Sequence, residues 1–277
     1  MAEGYKGYEI VTLNEQEMAE FYQSNELKDN LILLENEFLL IANNDGEIVD
    51  KFLYQDSQLQ KITHTVIENN WCGLIKPRNL YQLLAVSLLN DPTIPVKVLT
   101  GVYGSAKTFF MINAALQCLE SGNKEKIIFV RNGLSPKGVP DIGYLPGSAL
   151  DKTVVWAMPI ADHVGGEDGL LHLIQSRKLE VLPLNYIRGR DLKNAIIFSD
   201  ESENLTPKLI QLLLGRVGEN SELWIAGDYR QSDLGKSFSE GLTFMIERLK
   251  GNRLFGYVDL PITERSKIAE LSNLLDN

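Results

Sequence analysis

With 277 residues and 44% apolar content, the chain can form one large domain or a main domain with a small appendage. Its formal charge of −10 argues against broad, non-specific adhesion to nucleic acid or anionic membrane. A local basic channel stays open, since a polynucleotide feels charge within roughly 10 Å.

No apolar run approaches the ~20 residues of a membrane span, and the N-terminus lacks a basic-then-apolar signal pattern. Two distant cysteines, Cys72 and Cys118, and three scattered histidines offer neither a disulfide framework nor a zinc site, so a cytoplasmic setting is expected.

In chain order, residues Asn14 to Asn25 read as a short amphipathic helix with Met18, Phe21 and Tyr22 on one side. Apolar runs follow at 31–34, 37–42 and 47–54, and Asn43-Asn44-Asp45-Gly46 between the last two predicts a hairpin. Residues 1–70 therefore read as a helix and β-hairpin appendage without catalytic signature, serving either partner contacts or packing. Trp71 to Pro77 reads as a linker into a main domain over 71–277. Lys76–Val86 opens a helix with Pro77 near its start. Gln82 on that helix is either a solvated residue or a bidentate reader of the adenine N6 and N7 edge.

From Val96 the pattern is α/β. Strands are predicted at Val96–Thr100, Lys126–Arg131, Leu179–Leu184, Ala195–Ser199, Leu223–Ala226 and Phe255–Leu260. Helices are predicted at Lys107–Glu120, roughly Lys152–His163, Pro207–Val217 and Gly241–Lys250. Apolar strands alternating with helices imply a mostly parallel sheet covered on both faces.

Four features carry chemistry. The first is Gly101-Val102-Tyr103-Gly104-Ser105-Ala106-Lys107-Thr108, between a strand and a helix. This is the grammar of a phosphate-binding loop: backbone N–H groups wrap a polyphosphate, Lys107 reaches the β/γ phosphates and Thr108 ligates Mg²⁺. Ala106 stands where the pattern has Gly, and its methyl resists backbone angles that Gly accepts. The second feature is a strand ending in Asp200-Glu201. There the first acid suits Mg²⁺ and the second suits activation of water, although acids at strand ends also cap helices. The third is a strand ending in Gly227-Asp228, with Gln231 three residues on as a γ-phosphate sensor or merely a polar turn. The fourth is a set of cations, Arg131, Lys137, Arg188, Arg190 and Arg230, interleaved with Tyr144, Tyr186 and Tyr229. They form either a strand-binding groove or ordinary surface.

The series Gln82, GVYGSAKT (101–108), IGYLPG (142–147), YIRGRDLKNAIIFSDESENLTP (186–207), GDYRQ (227–231), GLTFMIERLKG (241–251) and ERS (264–266) resembles the PhoH family of phosphate-starvation-type P-loop NTPases over residues 76–277. It is most similar to the PhoH half of fusions that carry an N-terminal PIN nuclease domain; the PIN domain with its acidic metal cluster is not found in this sequence. The resemblance implies a RecA-like core, ATP hydrolysis with Mg²⁺, RNA or single-stranded DNA as track, and a homo-oligomeric, hexameric ring. A single motor domain has no second domain to close its site, so the resemblance makes Arg265 the finger contributed in trans. This chain departs from the family in having Ala106 for Gly, Ser202-Glu203 for Ala-Gln, and Asn132 for Pro. The expectation is thus an ATP-driven helicase or translocase. The alternatives are a nucleotide-gated binding protein with weak hydrolysis and a P-loop phosphotransferase.

Overall fold

Alternating apolar runs that stay buried must find cover on both faces, and the computed structural model of the chain provides it twice. It describes residues 4–24, 31–63, 65–131, 149–228 and 240–264. The chain begins with β1 (Tyr8–Thr12), α1 (Glu15–Ser24), β2 (Glu37–Ala42), β3 (Ile48–Gln55) and β4 (Gln58–Lys61). These strands form a four-stranded sheet in the order β1-β2-β3-β4, with β1 parallel to β2 and the other pairs antiparallel. The hairpin predicted from Asp45-Gly46 joins β2 to β3, with Gly46 at φ +80.

Every residue of β2 is buried, because its two faces serve different cores. Leu39 and Ile41 pack with Phe21 of α1 and with Phe52, whereas Phe38 and Leu40 join the large core of the main domain. The run at 31–34 forms no strand, and Ile32 is 83% exposed.

The stretch read as a linker is ordered. β5 (Ile67–Asn69) and β6 (Gly73–Ile75) make a tight hairpin. The buried Asn69 organises it: its Oδ1 accepts from the Trp71 and Cys72 amides, and its Nδ2 donates to Asn113 in the helix beneath. A linker reading fails because one side chain satisfies both the turn and the neighbouring helix. Helix α2 (Leu80–Asn90) starts three residues after Pro77, capped by Asn79, whose side chain accepts the Gln82 amide at 3.0 Å.

The main domain follows as β7 (Val96–Gly101), α3 (Lys107–Glu120), β8 (Lys126–Arg131), α4 (Ala149–Ala161), α5 (Glu167–Gln175), β9 (Leu179–Pro183), β10 (Ala195–Ser199), α6 (Pro207–Leu214), β11 (Glu222–Gly227), α7 (Glu240–Leu249) and β12 (Phe255–Leu260). The sheet is six-stranded and parallel throughout, in the order β12-β7-β11-β10-β8-β9. Side chains alternate between faces. Leu99, Phe129, Phe198 and Trp224 meet α2–α5, while Val98, Ile128, Ile197 and Ile225 meet α6 and α7.

Helix α5 was not foreseen. A Cβ on Gly169 would lie 1.6 Å from the Val164 carbonyl oxygen, so the helix turn there needs glycine.

The small sheet is fused to the edge of the large one. The Asp259 amide donates to the Lys6 carbonyl, and the Phe38 amide donates to that of Gly7. Gly7 lies at φ +82, and a Cβ there would sit 1.8 Å from the Tyr257 oxygen, so only glycine permits the approach. The buried Asn36 donates to the carbonyls of Asn252, Arg253 and Phe255, which ties β2 to the turn before β12.

Candidate nucleotide site

In a parallel sheet all strand C-termini lie on one edge, so the loops after β7, β8, β9, β10, β11 and β12 share one side of the molecule. The loop after β7 turns at Gly101 (φ +144), Gly104 (φ +77) and Ala106 (φ +73). Gly101 has no alternative, since a Cβ would lie 2.2 Å from the Leu260 oxygen. Ala106 takes the left-handed conformation as the N-cap of α3 with no side-chain cap. For a residue with a Cβ this costs about 1–2 kcal/mol. The start of a fourteen-residue helix is therefore left with its amides free of any side-chain partner at the cap.

Lys107 folds back over the loop. Its Nζ donates to Gly101 O at 2.7 Å, to Val102 O at 3.1 Å and to Ser105 Oγ at 3.5 Å. Burial pushes its ammonium below the ordinary lysine value, against the pull of Asp228, Asp200, Glu203 and Asp259. Thr108 Oγ1 donates to both oxygens of Asp200, at 3.0 and 3.1 Å, across 92 residues of sequence. Asp200 is buried at the end of β10, and that burial drives its carboxyl above the ordinary range despite the Thr108 bond.

Glu203, where the family pattern has Gln, points back to the same place. Its Oε2 accepts the Asp228 amide at 3.2 Å, and burial raises its carboxyl, reinforced by Glu201 and Asp200 and opposed by backbone hydrogen bonds. Glu201 is exposed, with its backbone left-handed at φ +49, and its carboxylate lies 3.3 Å from Arg131 Nη2.

The donor set suits a hard cation. One carboxylate and one hydroxyl leave room for phosphate oxygens and water, the way Mg²⁺ is ordinarily held. Among the described residues no group of three or more His, Cys, Asp or Glu makes a self-contained metal cage.

Gln82 sits at the start of α2 at 2% exposure, with its side-chain oxygen accepting the Arg78 amide at 2.9 Å. A relay joins that helix to the loop after β7: Asn79 Nδ2 donates to Glu264 Oε1 at 2.6 Å, and the Glu264 amide donates to Gly104 O at 3.0 Å. Asn79 was not among the expected site residues, and its one sequence signal is its place before an apolar helix, which marks an N-cap. Beside the loop, where residues 4–8 meet β12 and α7, lies a cavity of about 500 Å³ lined by Tyr5, Tyr8, Tyr81, Tyr257 and Asp259 among others. Asp259 accepts from Thr100 Oγ1 at the foot of the loop, 2.7 Å away. No sequence signal marks this cavity, because separate segments converge to form it.

Of the candidate strand contacts, Arg131 ends β8, and Arg188 and Tyr186 are exposed after β9. Arg190 instead binds Glu180 at 2.7 Å, with Lys126 on the same carboxylate at 3.0 Å. Burial alone would raise the Glu180 carboxyl, but these two cations hold it below the ordinary range. Lys137, Tyr144, Tyr229, Arg230, Gln231 and Arg265 lie outside the described residues.

Comparison with known proteins gives a consistent picture. The family model described as PhoH-like protein matches residues 74–271. Protein PhoH2 of Bacillus subtilis is 32% identical over 98% of this chain and 64% of its own length. Protein PhoH2 of Thermobispora bispora is 33% identical over 71% of this chain and 46% of its own. Protein PhoH of Escherichia coli K12 is 30% identical over 57% and 46%. The chain thus spans about half to just under two thirds of these relatives' length. A crystal structure of Pif1 helicase from Candida albicans aligns over 73% of this chain and 44% of its own at 12% identity, with a TM-score of 0.36, too distant a likeness to bear on fold or function.

Proposed function

This chain belongs to the PhoH family of P-loop NTPases, and on that footing we propose that it binds and hydrolyses ATP and spends the cycle on moving along RNA or single-stranded DNA. The observation that carries the reading is the meeting of Lys107, Thr108 and Asp200 at the C-terminal ends of β7 and β10, with Asp228 ending the strand between them. The amides of residues 101–108 and Lys107 hold the triphosphate, and Gln82 reads the adenine. Thr108 and Asp200 hold Mg²⁺, which would neutralise charge on the phosphates. Glu201 accepts a proton from the attacking water.

In the same proposal Gln231 senses the γ-phosphate, and Arg265 completes the site of a neighbour in a homo-oligomeric, hexameric ring. Arg131, Lys137, Arg188 and Arg190 face the strand; the pairing of Arg190 with Glu180 makes it the weakest of these. Residues 71–277 carry the motor, and residues 1–70 are an appendage fixed to its edge. Among the described residues no helix is long and apolar enough to cross a membrane.

The deciding experiment measures ATP turnover with and without single-stranded RNA and DNA, alongside oligomer mass. Turnover that rises with a strand and disappears in Lys107→Ala is the expected result. Turnover that ignores nucleic acid but needs a small-molecule acceptor would instead mark a phosphotransferase.

A second reading, nucleotide-gated binding with slow hydrolysis, draws support from two particular residues. Ala106 holds a conformation that disfavours it, and Glu203 places a further carboxylate beside Lys107. That reading requires tight ATP binding, slow single-turnover hydrolysis and no unwinding.

A further inference from the structure

We propose that Arg131 is a positioning residue that holds Glu201 out of reach of its water until a polynucleotide phosphate draws the guanidinium away. The inference rests on the reading of Glu201 as the group that accepts the water's proton.

The two residues meet because of topology. β8 and β10 are parallel neighbours with Val130 opposite Ser199, so Arg131, the last residue of one strand, lies beside the acids that follow the other. Arg131 Nη2 stands 3.3 Å from Glu201 Oε2. The Arg131 side chain is 23% exposed and that of Glu201 is 65% exposed, so the pair is open to a ligand on the acid's side.

The guanidinium is held from below by the Phe129 ring, 5.8 Å from its centroid. Its Nη1 is buried and has no hydrogen-bond partner among the described residues. The guanidinium meets Glu201 through one nitrogen only, so an acceptor that takes two of its donors at once competes well for it. A phosphate that takes two donors at once is such an acceptor. Glu201 in turn sits in left-handed backbone, a conformation kept only where the surroundings impose it.

While the pair stands, a Glu201 carboxylate oxygen faces Arg131 instead of a water beside the phosphates. When Arg131 turns to phosphate, Glu201 is released at the moment the strand is engaged. One contact that two partners compete for thus couples strand binding to hydrolysis, without a path through the core. Competition of this kind must be reciprocal: removing Glu201's claim on Arg131 should favour the strand.

The test compares wild type, Arg131→Ala, Glu201→Gln and the double variant, using a poly-uridine RNA oligonucleotide as the probe. Affinity for the RNA is read by fluorescence anisotropy, and ATP turnover is read with and without it. Glu201→Gln should bind the RNA about two- to fivefold more tightly than wild type, the range of an exposed ion pair, and the gain should vanish in the Arg131→Ala background. Arg131→Ala should hydrolyse ATP faster than wild type without RNA and lose the stimulation by RNA.

The proposal is overturned if the tightening persists without Arg131, which would make it a general charge effect. It is also overturned if unstimulated turnover of Arg131→Ala does not rise. Should Arg131→Ala not fold, Arg131→Lys keeps the charge but loses the fork, and it should shift both readouts in the same directions. Failure of the motor reading looks different: wild type itself would show no strand-stimulated turnover, which overturns both.

Discussion

Lys97 and Lys107 belong to one strand–loop–helix unit, near opposite ends of β7, and their surroundings differ in kind. Lys97 is 1% exposed and fully partnered. Its Nζ lies 2.7 Å from Glu222 Oε2 and 3.2 Å from Leu89 O, and it sits 4.9 Å from the centre of the Trp224 ring. Glu222 is satisfied in turn by Trp224 Nε1 and Lys124. Lys107 is also largely buried, but its hydrogen bonds go to loop carbonyls and a distant hydroxyl, while Asp228, Asp200, Glu203 and Asp259 act on it only through their fields. A buried charge whose needs are met holds the fold together. One whose needs are met by makeshift partners keeps its charge for a ligand.

The contrast makes predictions that fall in order of size. Lys107→Ala should cut ATP turnover by about 10³-fold, the scale of losing a charge that stabilises a transition state, and leave the melting temperature nearly unchanged. Steady-state kinetics and a thermal melt check both halves. A large drop in stability would erase the distinction between the two lysines.

Lys97→Ala should do the reverse. Stranding Glu222 in the interior costs about 3–5 kcal/mol, or roughly 6–20 °C in Tm for a domain of this size, with turnover of the folded fraction preserved. Lys97→Met, which refills the volume, should recover part of that loss.

Glu203→Gln tests the charge at the functional end. A carboxyl raised in the folded state binds more protons there than in the unfolded chain, so stability falls as pH rises from the ordinary glutamate value through the raised one. The Gln variant keeps an acceptor for the Asp228 amide and lacks that penalty. It should melt above wild type at about pH 8, and the gap should close as pH falls to about 4. A gap independent of pH would show that packing, not charge, is responsible.

Ala106→Gly is the smallest. Relief of left-handed strain at φ +73 is worth about 1–2 kcal/mol, and the extra freedom of Gly in the unfolded chain returns about 0.4–1 kcal/mol of it. A net gain near 1 kcal/mol should appear as a Tm rise of about 2–4 °C. Faster turnover alongside it would mean that the methyl also hinders phosphate binding.

Much of the main domain was legible in the sequence. Strands at 126–131, 195–199 and 255–260 and the helix at 107–120 stand where the apolar pattern put them, because each is long, strongly patterned and ended by polar residues. The glycine-bearing turn after β7 and the acids after β10 were legible for a related reason: their residue types at fixed local spacing are visible in the sequence itself. What escaped was non-local. The hairpin at 67–75 is held by Asn69 reaching Asn113, helix α5 depends on a glycine packed against Val164, and the first strand is recruited by its partner β2.

The sequence by itself therefore determined the alternation of strands and helices, the glycine-bearing loop after β7 and the acids after β10, since these depend on near neighbours and on the chemistry of single positions. Tertiary structure alone decided that Lys97 is matched and Lys107 is not, that Glu203 reaches the Asp228 amide, and that Arg131 pairs with Glu201. Those outcomes depend on strand order and register across the sheet. Strand order is set by how the strands and helices share buried surface, a property of the whole chain that no stretch of it carries.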